Sequence, residues 1–358
     1  MGGSVAGREV LTDFGGKLVE GVWPSVRGRS GDRAESGPTG KPWVDSNGWK
    51  IRLLRDRQPQ AATWLSYEPP ADRVLSARDY LLAIADAEAF GARWVVALDP
   101  QLAAGIASGS AGMLQTWRQM NSALRFFHSR AAWANWRSVA RLAVVSSFAG
   151  GAEFLSQEFL NLADRRPLAY RTINLTEAPG MDLSAYRAIV YIEPEPPGAT
   201  LRSSLMAFVA AGGILLSQHS FVTGSPKETR QNHRLFSHGK GIVAVPETEW
   251  SDPWQLAQDA HLLLGREHDV IRLYNAASFN VSYTASGDGK RAAVQLLNFA
   301  LRAPAHQVTV SIGKNYGRAT ICSLDRPEPE PVRIERTRFG IEIPLPGFEV
   351  YCAIELES

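Results

Sequence analysis

Cysteine is scarce in this chain, and neither a long apolar run nor an excess of one charge is present. Cys322 and Cys352 are the only cysteines among 358 residues, too few for a disulfide framework or a cysteine-rich metal site. Each lies in a predicted strand near the C-terminus, where a small buried thiol is the ordinary state of a cysteine. A disulfide between them stays open for an oxidising compartment.

The charges exclude two classes of partner. The 38 basic and 36 acidic side chains leave a net charge of +2 and are interspersed along the sequence, so no electrostatic footprint points to nucleic acid or an anionic membrane. No stretch approaches the roughly 18 apolar residues that span a bilayer, and residues 1–6 lack the basic start and apolar run of a signal peptide. We expect no nucleic-acid or membrane partner, a cytoplasmic location by default, and uncharged or mixed substrates.

The first segment, to about residue 137, alternates predicted strands with helices. Residues 64–68 and 94–99 each predict a short strand that ends in a carboxylate, Glu68 or Asp99. Ser76 and Asp79 predict a capping box at the start of the helix between these strands. Barrel enzymes present catalytic acids at such strand ends, but only about three β/α units are present where a closed barrel needs eight.

From Arg141 a second pattern of strands and helices begins. Its order predicts a doubly wound α/β layer, followed by a polar connection over residues 221–241 and a helix over 254–264. The predicted elements of the layer are strands 142–146, 169–173, 188–192 and 214–217 and helices 153–163 and 201–211.

The last ninety residues predict short strands with Gly and Pro punctuation, which is typical of an antiparallel sandwich. The predicted strands are 281–284, 293–298, 308–312, 319–324, 332–336 and 349–355. The fold class is therefore α/β: an incomplete (β/α) barrel segment, then a flavodoxin-like doubly wound α/β domain, then a small antiparallel β-sandwich.

This order of domains resembles the C-terminal two-thirds of the β-galactosidases of glycoside hydrolase family 42. The phrases that match are 78–80 with 89–92, 201–213, 293–298, 344–347 and 353–357. The resemblance implies a partial barrel over 1–137, a class I glutamine amidotransferase-like domain over 138–250, a connecting helix over 251–265 and a sandwich over 266–358. It also implies a homo-oligomer, a trimer held by the middle domain, a carbohydrate ligand and no cofactor.

The resemblance assigns Glu68 the position of the nucleophile. Residues 17–23, 63–68 and 94–99 then correspond to barrel strands six, seven and eight. The family's acid/base glutamate belongs to strand four, which has no counterpart in the sequence. Retaining glycosidases need two carboxyl groups about 5 Å apart, and the second role stays open. Its candidates are Asp99, Asp45, Glu35 and Glu20. The structural alternative for Glu68 is that it caps a turn before Pro69 and Pro70.

Residues 40–49 combine turn formers, two indoles and short polar side chains. Trp43 could stack on a sugar face while Asp45 or Asn47 hydrogen-bonds ring hydroxyls, and Asp99 would complete the substrate-binding set. Eight of the ten tryptophans precede residue 137, so any sugar platform belongs to the first segment. The alternative is that Asp45 or Ser46 caps the next helix.

The middle domain carries no predicted chemistry of its own. Residues 148–151 favour a tight turn over an anion site because they lack a dinucleotide or phosphate-loop motif. The domain contains no Cys for glutamine chemistry. Ser217 lacks the glycines of a nucleophile elbow, and His219, His233 and His238 are too irregularly spaced for a metal site, so a solvated loop is favoured there.

Two functions follow from the sequence. The first is a glycoside hydrolase of retaining mechanism, possible substrates being β-galactosides, with Glu68 as nucleophile and no metal. The second is a non-catalytic oligomerisation or carbohydrate-binding protein in which the barrel segment is scaffold.

Overall fold

The chain forms two compact units, one of them built from two separate stretches of sequence. The computed structural model describes residues 10–11, 16–26, 28–29, 33–34, 44–230, 232–276, 278–300 and 307–358. The first unit combines Met1–Arg137 with Leu273–Ser358, and the second is Ser138–Arg272.

The N-terminal stretch of the first unit contains short strands and four helices. Its elements are β1 (Val10–Leu11), β2 (Lys17–Glu20), β3 (Ser25–Val26), β4 (Gly28–Arg29), β5 (Arg33–Ala34), β6 (Val44–Asp45), α1 (Gly48–Arg57), β7 (Thr63–Ser66), α2 (Ala77–Glu88), β8 (Arg93–Trp94), α3 (Pro100–Ala107) and α4 (Ala111–His128). Strand β9 (Arg137–Ser138) ends the stretch.

Four of these strands form a sheet in the order β1-β2-β7-β8. Strands β2, β7 and β8 run parallel, as predicted, and β1 is antiparallel to β2. No closed barrel forms among the described residues. The predicted strand 94–99 is too long: β8 ends at Trp94, because after the Val95 amide bonds to Leu65 at 2.7 Å the chain leaves the ladder.

The capping box predicted for α2 is confirmed. The Ser76 side chain accepts a hydrogen bond from the Asp79 amide, and the Asp79 carboxylate accepts one from the Ser76 amide at 2.8 Å. Two of the otherwise unpaired donors at the helix start are satisfied in this way. Helix α2 therefore begins where the sequence predicts.

The second unit is a doubly wound layer. Its elements are β10 (Leu142–Ser146), α5 (Glu153–Arg165), β11 (Tyr170–Asn174), β12 (Ala188–Tyr191), α6 (Ala199–Ala210), β13 (Ile214–Ser217), β14 (Glu228–Arg230), β15 (His233–His238), β16 (Gly241–Pro246) and α7 (Pro253–Leu264). The sheet order is β11-β10-β12-β13-β16-β15-β14, parallel from β11 to β16 and antiparallel beyond.

The prediction of a polar connection over 221–241 is wrong in its second half. Strands β14 and β15 occupy it, and β15 pairs with β16 along its whole length. The apolar side chains of Leu235 and Phe236 are buried, and His233, which lies in β15 and not in a solvated loop, is buried beside the Asp259 carboxylate at 3.6 Å. The polar residues of β14 and β15 made this segment look like a connection in the sequence.

The C-terminal stretch of the first unit consists of strands. After β17 (Ile271–Tyr274), which spans the unit boundary, they are β18 (Phe279–Ala285), β19 (Arg291–Asn298), β20 (Thr309–Ile312), β21 (Arg318–Ser323), β22 (Glu330–Pro331), β23 (Glu335–Thr337), β24 (Gly340–Pro344) and β25 (Tyr351–Glu357). They form two sheets, β22-β21-β25-β19-β18-β9 and β17-β20-β24-β23, whose described pairings from β18 onward are antiparallel.

One hydrophobic core joins the two stretches of the first unit. Phe126 and Phe127 of α4 pack edge-on against Tyr351 of β25, with ring centroids 5.6 and 4.9 Å apart. The Arg52 guanidinium donates to the Val281 carbonyl at 2.6 Å. Because buried polar groups need partners, these bonds fix the helices of the first stretch against strands more than 200 residues away.

Cys322 and Cys352 are both buried free thiols, as predicted. They lie on the neighbouring strands β21 and β25, in which Ser323 pairs with Cys352. No helix in the described part of the chain is both long and apolar enough to cross a membrane.

Candidate active site

The sheet formed by β2, β7 and β8 has one covered face and one open face. Along β7 and the two residues after it, Thr63, Leu65 and Tyr67 are buried. Trp64 and Ser66 between them are half-buried, and Glu68 is exposed. Side chains alternate along a strand, so Glu68 continues the row of Trp64 and Ser66. The Tyr67 hydroxyl donates to the Ala83 carbonyl of α2 at 2.7 Å, which places the helices on the other face.

Strand β2 repeats this alternation and brings a second carboxylate to the open face. Val19 is buried and pairs with Leu65, whereas Glu20 is exposed and pairs with Ser66. In-register neighbours on parallel strands point to the same face. The Gly21 amide donates to the Ser66 carbonyl at 2.9 Å, so the pairing continues past the last residue of β2. Glu20 and Glu68, both exposed, therefore lie at the same end of this sheet.

The Glu68 carboxylate is not engaged by the residues that the structure describes. It lies two residues after β7, which ends at Ser66 and not at residue 68 as predicted, is exposed, and within that part of the chain makes no hydrogen bond or ion pair. The alternative that Glu68 caps the turn at Pro69 and Pro70 therefore has no bond to support it. A free carboxylate at a strand end is available to a ligand.

Asp99, by contrast, is occupied. It is the N-cap of α3, where one oxygen accepts from the amides of Gln101 and Leu102 at 2.8 and 2.9 Å. The other oxygen accepts from the Tyr80 hydroxyl at 2.6 Å. Burial alone would raise the pKa of Asp99, but the bonds from Tyr80 and the two amides outweigh it and lower that pKa. Asp99 is thus held ionised and serves its helix.

Asn47 is a structural clamp. It is buried at the start of α1; its side-chain oxygen accepts from the Val22 amide at 2.8 Å, and its side-chain amide donates to the Val22 carbonyl and the Asp86 carboxylate at 2.9 and 2.7 Å. The Asp86 carboxylate also accepts from the Asn47 backbone amide at 3.0 Å. All the bonds of the Asn47 amide group therefore go to the loop after β2 and to α2.

The remaining predicted residues of this loop are placed unequally. Asp45 lies half-buried in β6, paired with Ser25 of β3. The Ser46 hydroxyl accepts a hydrogen bond from the Asn280 side chain at 2.8 Å. The alternative that Asp45 or Ser46 caps α1 is wrong, because Asn47 is the N-cap residue and makes no side-chain capping bond. Trp43 and Glu35 lie outside the described residues.

An aromatic cluster that the sequence analysis did not identify lies beneath this site. The rings of Tyr67 and Trp94 stack with centroids 5.2 Å apart, and Trp23 meets both edge-on at 6.0 and 5.5 Å. Tyr80 joins the cluster through Trp23 at 5.7 Å. Three of these residues follow or end the parallel strands, a recurrence visible in the sequence. The cluster stiffens the strand ends that carry Glu20 and Glu68.

A half-buried lysine side chain contacts Glu20. The Lys50 side chain donates to the Glu20 carbonyl at 2.9 Å. Burial lowers the pKa of Lys50, and the charge of Glu20 opposes that shift. The open face therefore carries two carboxylates with one cation behind them.

Polar residues near the ends of β10, β12 and β13 are bonded to one another. The Ser146 hydroxyl donates to the Glu193 carboxylate at 3.0 Å, and the His219 ring contacts the Glu193 carbonyl at 2.9 Å. Ser217 accepts from the His219 backbone amide and not from its ring, so no nucleophile and base pair forms. The predicted tight turn is present, with Phe148 and Gly150 at positive φ. The described residues contain no group of His, Cys, Asp and Glu that could hold a metal.

The fold is similar to that of glycoside hydrolases of known structure, at low sequence identity. Neither a protein-family model nor a curated protein sequence matches the chain.

Three solved structures illustrate the likeness. The α-L-fucosidase isoenzyme 2 from Paenibacillus thiaminolyticus matches with a TM-score of 0.60 and 11% identity over 87% of this chain and 62% of that one. A rhamnosidase from Novosphingobium sp. PP1Y matches with a TM-score of 0.59 and 12% sequence identity, over 95% of this chain and 34% of the rhamnosidase. A β-galactosidase from the Antarctic haloarchaeon Halorubrum lacusprofundi matches with a TM-score of 0.50 and 15% sequence identity, over 87% of this chain and 55% of the β-galactosidase. The chain spans less than two thirds of each.

Proposed function

We propose that this protein hydrolyses glycosides by a retaining mechanism in which Glu68 is the nucleophile. The observation that carries the proposal is the position of Glu68, an exposed carboxylate without a partner among the described residues at the end of the middle parallel strand. The glycoside-hydrolase-like fold supports the choice of substrate class, although a fold by itself never fixes a function.

Glu20 is the second carboxylate of this proposal. Of the four residues that the sequence leaves open, it shares the open face with Glu68, whereas Asp99 is committed to α3. Glu68 attacks the anomeric carbon while the glycosidic bond breaks and the departing oxygen takes a proton from Glu20. Glu20 then removes a proton from water, which attacks the same carbon and releases Glu68.

The predicted substrate-binding residues take two roles in this proposal. Trp43 and Asp45 contact the sugar, by stacking and by hydrogen bonding. Asn47 and Asp99 position the loops around the site, because their side chains are used by Val22, Asp86 and Tyr80.

A panel of aryl glycosides tests the proposal. Nitrophenyl α-L-fucosides, α-L-rhamnosides and β-D-galactosides follow the sugars named for the similar structures. We expect release of nitrophenol from at least one of them. Glu68→Gln should lower the rate at least about 10³-fold, and Glu20→Gln by about 10²–10⁴-fold. Asp72→Asn, an exposed carboxylate in the turn after Glu68, is the matched control and should change the rate less than twofold.

The second candidate is carbohydrate binding without hydrolysis. It is favoured by one observation, the open four-stranded sheet in place of a closed barrel among the described residues. Saturable binding of a glycoside that leaves it intact, weakened by Asp45→Ala and not by Glu68→Gln, would support this function over hydrolysis.

We also propose that the second unit drives self-association into a trimer. The resemblance to family 42 supports this proposal, and Phe154 of α5 and Leu262 of α7, 69% and 41% exposed, are apolar side chains at which it can be tested. Sedimentation should detect a trimer that Phe154→Glu dissociates. A wild-type monomer at micromolar concentration would contradict this.

A further inference from the structure

A cavity of about 590 Å³ opens at β8, the edge strand of the β1–β2–β7–β8 sheet, and neither Glu20 nor Glu68 lines it. Its walls are strand β8 with the residues that flank it, the end of α2, and the last turns of α4. A volume of this size accommodates a small organic molecule.

The walls of the cavity are mainly apolar and partly rigid. Trp94 and Phe127 belong to the hydrophobic core, and Leu124 packs against it. The Trp64 indole supplies a flat surface, with the Arg93 guanidinium 5.5 Å from its ring centroid. A planar apolar body can therefore fill the cavity without rearrangement of the core.

The titratable side chains of the cavity are one carboxyl group and three basic groups, and Asn121 adds a neutral amide. Glu88, the last residue of α2, is half-buried, whereas Arg93, Arg125 and His128 are exposed at the mouth. Burial raises the pKa of Glu88 to about 7, against the opposing charge of Arg93. Near neutral pH the Glu88 carboxyl can therefore hold a proton and donate a hydrogen bond.

We propose that this cavity binds a small aromatic carboxylate, with the ring against Trp64 and Leu124 and the carboxylate between Arg125 and Glu88. The guanidinium groups at the mouth offer charge-assisted hydrogen bonds, and the protonated Glu88 offers a neutral donor. A cationic ligand would meet Arg93 and Arg125, and a neutral one would leave both without a counter-charge.

Proton uptake accompanies binding, because an anion beside Glu88 favours its protonated form. The groups that face Glu88 are Arg93 of β8, Arg125 and His128 of α4, and Tyr67, the residue after β7, whose own pKa is raised by burial and by nearby carboxylates. The Arg55 guanidinium near Gly91 is held by the Phe90 and Ala134 carbonyls.

Three matched probes test the proposal by calorimetry on the full chain: 3-phenylpropanoate, 3-phenylpropan-1-ol and 3-phenylpropylamine. We expect saturable binding of the acid, at least about tenfold tighter than of the alcohol or the amine. Arg125→Gln should weaken binding of the acid about tenfold, and Ala131→Trp, at an exposed position of the cavity rim, should abolish it. Arg118→Gln, an exposed arginine on the same helix outside the cavity, should have no effect.

The pH dependence separates Glu88 from His128. Binding of the acid should weaken about tenfold from pH 6 to pH 8 as Glu88 loses its proton. Glu88→Gln should remove this dependence, and His128→Gln should retain it. The proposal is overturned if the acid shows no saturable binding, if the alcohol or amine binds as well as the acid, or if Ala131→Trp leaves binding of the acid unchanged. It is equally overturned if only His128→Gln flattens the pH profile.

Discussion

Asp99 accepts three hydrogen bonds, from the Tyr80 hydroxyl and from the backbone amides of Gln101 and Leu102. Loss of an N-cap side chain costs about 1–2 kcal/mol, and a buried hydroxyl that loses its acceptor costs about 1–3 kcal/mol more. We predict that Asp99→Ala lowers the free energy of unfolding of the first unit by about 2–5 kcal/mol. Urea unfolding followed by tryptophan fluorescence measures this, and an unchanged midpoint would contradict it.

The same bonds make this contribution depend on pH. Because the pKa of Asp99 is lowered from its ordinary value of 3.8 in the folded protein, the charged group stabilises the fold above that value. The contribution is lost as the pH falls through the lowered folded pKa. Asp99→Asn, which retains a capping side chain, should therefore differ most from wild type above pH 3.8 and progressively less as the pH falls below that value.

At this scale the sequence could not separate Glu68 from Asp99. Both follow a short apolar strand, and both are predicted strand-end carboxylates. The difference comes from Tyr80 on α2, 19 residues from Asp99. The Tyr80 hydroxyl donates a hydrogen bond to the Asp99 carboxylate and none to that of Glu68. Whether a strand-end carboxylate is hydrogen-bonded depends on contacts between elements, which a local sequence pattern does not predict.

At the scale of elements, Asn47 connects three pieces of chain: the loop after β2, the start of α1, and α2. We predict that Asn47→Ala destabilises the first unit by about 2–4 kcal/mol, because the Val22 backbone groups lose their partner and the buried Asp86 carboxylate loses one of its donors. Thermal unfolding measures this effect. Gln60→Ala, in an exposed turn of the same unit, is the control, and an equal effect of the two substitutions would argue against the clamp.

Strands that are continuous apolar runs were predictable from the sequence. Strands whose length or burial depends on contacts with neighbouring elements were not. Strands β10 and β13 begin and end as predicted because both are continuous apolar runs between turns. Strand β8 is shorter than predicted, since its ladder to β7 stops. Strand β15 was not predicted, because His233 is a polar residue whose burial depends on its contacts with Asp259 and Trp250, which are distant in the sequence.

At the scale of the whole molecule, the first unit depends on residues from both ends of the chain. The sequence indicated the sandwich and the barrel segment but not that they share one core, since Phe127 and Tyr351 are more than 200 residues apart. The Gln295 side chain also donates to the Ala89 carbonyl of the first stretch at 3.0 Å.

Fragments test this dependence. We predict that residues 1–137 alone do not fold and that co-expression with residues 273–358 restores a folded complex, because the core of the first unit then becomes complete. Dispersion of amide signals in NMR spectra reports folding. Residues 138–272, which form a compact unit of their own, should fold alone. A dispersed spectrum from 1–137 by itself would refute the shared core.

The central claim, that Glu68 is a nucleophile, is tested most directly by trapping its glycosyl intermediate. A 2-deoxy-2-fluoro glycoside with a dinitrophenyl leaving group, of whichever sugar the panel identifies, should add one fluoroglycosyl group to the intact protein. Peptide mass spectrometry should find it on Glu68, and Glu68→Gln should gain no mass. Hydrolysis of the aryl glycoside without such an adduct, or an adduct on another residue, would contradict the account.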